Sequence, residues 1–68
     1  MDYHYEANFY DGDTHCLHIS AFNTIEAAKK AAKTQSAFKA SRVTIVDWYG
    51  CKTVAEKMPN HTRFRNYN

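Results

Sequence analysis

Residues 23–40, NTIEAAKKAAKTQSAFKA, decide the fold of this 68-residue chain. At roughly 100° per residue, Ile25, Ala28, Ala31, Ala32 and Gln35 fall on one side, with Phe38 at its edge. Lys30, Lys33 and Thr34 fall on the other side, and Lys29 on the flank. Asn23 offers an N-cap side chain, and Glu26 three residues later completes a capping-box arrangement. Alanine is the best helix former, so local preference and apolar pattern agree. One helix is expected over this stretch, and the small residues of its buried side imply close approach to the layer beneath.

Upstream, residues 3–9 alternate: Tyr3, Tyr5, Ala7 and Phe9 on one side, His4, Glu6 and Asn8 on the other. A period of two is the mark of a strand with one buried face. Asp11-Gly12-Asp13 reads as a turn, after which Leu17, Ile19 and Ala21 alternate with Cys16, His18 and Ser20. A two-residue loop at Asp11-Gly12 would pair Ala7 with Cys16 and turn Leu17 to the wrong face. A three-residue loop pairs Ala7 with Leu17 and Tyr5 with Ile19, and is the expected register because a one-residue slip reverses every side chain.

Downstream, RVTIVDWYG (residues 42–50) is rich in β-branched and aromatic residues, with apolar side chains on both faces, so a central strand is expected. Tyr49-Gly50 reads as a turn and CKTVAEK (residues 51–57) as a return strand. Pro59-Asn60 breaks the pattern, and residues 58–68 read as a short edge strand or a loosely held tail. The order is β-β-α-β-β, an α+β fold in which one helix packs on one face of a largely antiparallel sheet. The length allows a single domain over residues 1–68, and a chain this short buries only about 60% of its unfolded surface. Ten aromatic residues suit so thin a core.

Two cysteines, Cys16 and Cys51, are too few for a secreted disulfide framework. MDYHYEANFY has neither the basic nor the apolar segment of a signal peptide, and no apolar run approaches the roughly 20 residues of a membrane-spanning helix. A soluble protein of the cytoplasm is expected. Net charge is only +2, modest for a dedicated nucleic-acid binder. Its distribution is uneven: residues 1–28 contain Asp2, Glu6, Asp11, Asp13 and Glu26 with no Lys or Arg, and all nine cationic residues lie from Lys29 onward. A surface of two signs follows, suited to a basic groove or to an acidic partner.

Candidate chemistry is sparse. Cys16 and His18, on the outer sheet face with Glu6 opposite His18, are the nearest approach to a metal site; His4, His15, Cys51 and His61 are dispersed, without the close ligand pairs of structural zinc. His15 and Cys16 are adjacent on a strand and point to opposite faces, which precludes an activated thiolate pair. No enzyme, metal or cofactor is expected. The binding candidate is basic: Lys29, Lys30 and Lys33, followed by Lys39 and Arg42, with Arg63 and Arg65 flanking Phe64. Only Glu26 and Lys30 stand at the i, i+4 spacing that would neutralise a helix lysine.

The segment TIEAAKKAAKTQSAFKASRVTIVDWYG (residues 24–50) resembles the corresponding part of a family of small type I-F anti-CRISPR proteins from phages and mobile elements. The resemblance rests on the Ala28-Lys29-Lys30 helix pattern, Ala32, Phe38, Ile45, Gly50 and the Arg63-Phe64 pair. It implies an inhibitor of a host RNA-guided CRISPR surveillance complex, bound to the backbone subunits that hold the guide RNA and blocking hybridisation with target DNA. In that family the helix basic pair, here Lys29 and Lys30, lies at the contact. Two other readings stand beside it: a phage protein that blocks another host enzyme, such as RNA polymerase or a restriction nuclease, and a module that binds single-stranded nucleic acid directly.

Overall fold

A computed structural model describes residues 4–67 of the chain; Tyr3, the first residue of the expected alternation, lies outside them. Five strands form one antiparallel sheet in the order β2-β1-β3-β4-β5: β1 (Tyr5–Asp11), β2 (Thr14–Phe22), β3 (Arg42–Asp47), β4 (Lys52–Lys57) and β5 (Arg65–Asn66). The single helix, α1 (Ile25–Lys33), connects β2 to β3. These two strands flank β1, so the helix packs across β1 and both neighbours. β3 is the central strand, as its two-sided apolar content implied, and the C-terminal segment contributes a two-residue edge strand.

The helix-covered face holds the core. Ala7 and Phe9 of β1 stand opposite Ile45 and Val43 of β3, and Ala55 of β4 stands opposite Ile45. All five are fully buried together with Ala28 and Ala32 of α1. Alanines on both sides let the helix axis come close to the sheet. Leu17, Ile19, Phe22, Ile25 and Phe64 close the margins.

Three local expectations are corrected. The helix cap is Thr24, not Asn23: Thr24 is extended (φ −142°, ψ 156°) and its hydroxyl accepts from the Ala27 N–H at 3.0 Å. This shift by one residue places alanine where a capping-box glutamate would stand. The helix also ends at Lys33 rather than running to Ala40. The Thr34 hydroxyl donates to the Ala31 carbonyl at 2.7 Å, and the Thr34 and Gln35 amides bond to Ala31 and Ala32 in tight three-residue steps, the competition that short hydroxyl side chains offer to helical bonding. A series of turns follows, and these lower Phe38 into the core, where it is 8% exposed.

The third correction is the hairpin. Asp11 pairs with Thr14 and Tyr10 with His15 around a two-residue turn, Gly12-Asp13, in which Gly12 has φ +62°. A bulge at Cys16 then shifts the register, so that Phe9 pairs with Leu17, Asn8 with His18 and Ala7 with Ile19. The apolar sets of the two strands therefore do share a face, as hydrophobic matching requires. The device is a short turn plus an extra residue, not the three-residue loop. As a result Asn8, not Glu6, stands opposite His18.

Candidate functional site

Because Ala28 and Ala32 face the sheet, the opposite side of α1 presents Lys30 and Lys33 to solvent. Among the described residues neither has an ion-pair or hydrogen-bond partner. Lys29 is placed differently. Its side chain is only 13% exposed and its ammonium donates to Asn66 Oδ1 while lying 3.9 Å from Glu26 and 5.6 Å from the Phe64 ring centre. Phe64 in turn lies against Phe38. Lys29 thus clamps the C-terminal segment onto the helix layer, leaving Lys30 and Lys33 as the outward pair.

Arg63 and Arg65 take separate positions. Arg65 pairs in register with Glu56 on the face of the sheet opposite the helix, with its guanidinium 5.9 Å from the Tyr67 ring centre. Arg63 is exposed at the loop between β4 and β5, between two open depressions. One, of about 360 Å³, is lined by Lys39, Asn60, His61, Thr62 and Arg63. The other, of about 300 Å³, is lined by Glu56, Met58, His61, Arg63 and Arg65. The expected basic group is therefore spread over the helix, the open sheet face and this loop.

The open face carries a polar network that no sequence motif announced. Asn8, 5% exposed, is its hub. Its Oδ1 lies 2.9 Å from His15 Nε2 and 3.2 Å from His18 Nδ1, and its Nδ2 donates to Glu6 at 2.7 Å. A carbonyl oxygen only accepts, so these contacts require N–H on Nε2 of His15 and on Nδ1 of His18. The other Glu6 oxygen accepts from the Trp48 indole. Further along, the Arg42 guanidinium lies over the Tyr10 ring at 4.4 Å and donates to Glu56 at 2.9 Å, while the Tyr67 hydroxyl donates to the same carboxylate. The Tyr67 hydrogen bond and the Arg42 guanidinium hold Glu56 below the usual carboxylate range against the opposing effect of burial. The same hydrogen bond raises Tyr67 above the ordinary phenol value.

Among the described residues no three His, Cys, Asp or Glu side chains gather to hold a metal ion. Cys16 and Cys51 are exposed thiols whose Sγ atoms contact the carbonyls of Thr14 and Trp48. The expected Glu6–His18 proximity persists at 3.6 Å, though diagonally across the strand pair.

Sequence reading missed Lys57. It pairs with Val43 on the helix-covered face and is fully buried. Its ammonium donates three hydrogen bonds of 3.1 Å, to the carbonyls of Lys39, Met58 and His61, and lies 4.6 Å from the Phe38 ring centre. No carboxylate takes part. Burial, with the nearby Lys39 charge adding to it, pushes Lys57 below the ordinary lysine value. The one available signal was its phase: Ala55 and Lys57 alternate onto the face that Ile45 and Val43 bury.

No helix among the described residues is long and apolar enough to cross a membrane. Comparison with protein-family models, curated proteins and solved structures finds no match to this chain.

Proposed function

We propose that this protein is a small, non-catalytic inhibitor that acts in the host cytoplasm on an RNA-guided CRISPR surveillance complex. It binds the backbone subunits that hold the guide RNA and blocks hybridisation of the guide RNA with target DNA. The observation that carries this reading is the outward pair Lys30 and Lys33, uncompensated by any carboxylate on a helix whose sequence resembles the contact helix of type I-F anti-CRISPR proteins. The opposite end of the charge distribution supports it: Asp11 and Asp13 are exposed at the tip of the β1–β2 hairpin. Such a two-signed surface can meet a basic groove with one end and an acidic surface with the other. Lys29 serves the contact indirectly by fixing the C-terminal segment, while Arg63 and Arg65 extend the basic surface beyond the helix.

The test is target capture by a purified, guide-loaded type I-F complex, followed by gel shift. Added in stoichiometric amount, the protein is expected to abolish the target-DNA shift, and the double substitution Lys30→Glu, Lys33→Glu to restore it. Both lysines are exposed, so the fold of the variant is expected to persist, checked by circular dichroism. Undiminished target binding in the presence of excess wild-type protein overturns the reading.

A further inference from the structure

The loop between β4 and β5, which carries Arg63 of the proposed basic surface, is tied to the rest of the fold from several sides. Lys57 binds the carbonyl of Lys39 on one wall of the larger depression and that of His61 on the other. The Asn60 amide also donates to the Lys39 carbonyl at 2.7 Å, and the His61 amide to Met58 at 3.1 Å. Asn60 adopts φ +66°, the turn that brings the loop back against residue 39. The two walls are therefore held at a set separation by one buried ammonium and the backbone bonds around it.

The electrostatics of this depression are one-sided. It is lined by Lys39, Asn60, His61, Thr62 and Arg63, with no Asp or Glu among them. Residues 27–46 and 57–68 contain no Asp or Glu. Glu56 borders only the neighbouring depression, where it is taken up by Arg42 and Tyr67. The Lys57 charge behind the wall is met only by carbonyl dipoles and an aromatic face. Two cationic residues and three with hydrogen-bonding side chains around an open recess are a complementary set for a tetrahedral oxyanion, for which a guanidinium fork is especially suited. A site whose walls are already fixed loses little on ordering when the anion enters.

We propose that the depression lined by Lys39, Asn60, His61, Thr62 and Arg63 is a phosphate-binding site, accepting a phosphate group either free or as part of a nucleic-acid backbone. It is a property of the isolated protein and holds whatever partner meets Lys30 and Lys33.

The test is an NMR titration of the uniformly ¹⁵N-labelled full chain with sodium phosphate at constant ionic strength, against a matched chloride series. Saturable changes are expected at the amides of Lys39 and residues 60–63. Arg63→Ala and Lys39→Ala are each expected to weaken binding about tenfold, the ratio for losing one charge-assisted hydrogen bond. Both positions are exposed, so both variants are expected to fold, and the exposed Lys52→Ala serves as a control that leaves binding unchanged. A parallel titration with oligothymidylate identifies the source. Tighter binding than inorganic phosphate, lost on Arg63→Ala, assigns the site to a nucleic-acid backbone, and equal or weaker binding to a free phosphate group. The absence of saturable change, or change that survives both substitutions, overturns the proposal.

Discussion

The two faces of the sheet are held by different forces. On the covered face, Phe9, Val43, Ile45 and Ala55 pack against Ala28, Ala32 and Phe38, and cohesion follows from apolar area removed from water, which is insensitive to direction. On the open face, Asn8, Glu6, Trp48, His15 and His18 form one hydrogen-bonded group, and Arg42, Glu56 and Tyr67 another. There each contact depends on angle, register and protonation. Lys57 is the exception on the covered face, a charge held by directional bonds inside an apolar layer. The contrast shows how a chain this small spends one face on stability and keeps the other polar and accessible.

The largest expected effect comes from breaking the covered face. Phe9→Ala removes a fully buried ring from the strand beneath the helix and is expected to cost about 3–5 kcal/mol. That is comparable to the whole stability of a domain of this length, so urea denaturation should find the variant largely unfolded at low denaturant. A loss below about 1 kcal/mol would mean that the two faces do not divide stability in this way.

Lys57→Met sharpens the exception. The substitution keeps the apolar stem but leaves the carbonyls of Lys39, Met58 and His61 without their shared donor. The Lys39 and Met58 carbonyls keep the Asn60 and His61 amides as donors, so the His61 carbonyl loses most, and the loss of the ammonium's bonds is expected to cost about 1–3 kcal/mol. Hydrogen exchange should show lost protection at Asn60 and His61 while the β1–β3 amides stay protected. A variant as stable as the parent, with those amides still protected, would show that backbone bonds alone hold the loop.

The smallest effect is expected on the open face. Glu56→Gln keeps the shape but weakens the acceptor shared by Arg42 and Tyr67, a partly exposed pair worth roughly 0.5–1 kcal/mol. Its pH signature is more diagnostic than its size. Glu56 titrates lower in the folded protein than in the unfolded chain. Its contribution is therefore present above the ordinary carboxylate value and lost as pH falls through the folded one. Stability curves of parent and variant should converge on acidification, and parallel curves would assign the acid sensitivity to other carboxylates.

The open face was largely illegible in advance because its partners depend on register. The bulge at Cys16 moves Asn8 opposite His18 and gathers His15 to the same acceptor, and no local rule marks Cys16 as the extra residue. The helix cap moved by one position because Asn23 and Thr24 are both competent caps, and only the folded backbone places the Thr24 hydroxyl on the Ala27 amide. Of the candidate contact residues, the exposure of Lys30 and Lys33 was readable from the 3.6-residue period. The withdrawal of Lys29 was not, because its partners Asn66 and Phe64 lie more than thirty positions away.

The sequence by itself determined the β-β-α-β-β order, the central place of β3 and the helix face that meets the sheet, because each follows from apolar periodicity, which burial enforces wherever a strand or helix has one wet side. Only the tertiary structure decided the ends of the helix, the hairpin register, the burial of Lys57 and the recess it braces. These depend on where distant carbonyls and side chains come to lie once the core has closed. In the stretch from which the reading began, the buried alanines Ala28 and Ala32 were legible, and the end of the helix at Lys33 was not. Its lysines separated into a clamp and an exposed pair only when the C-terminal segment folded back against them.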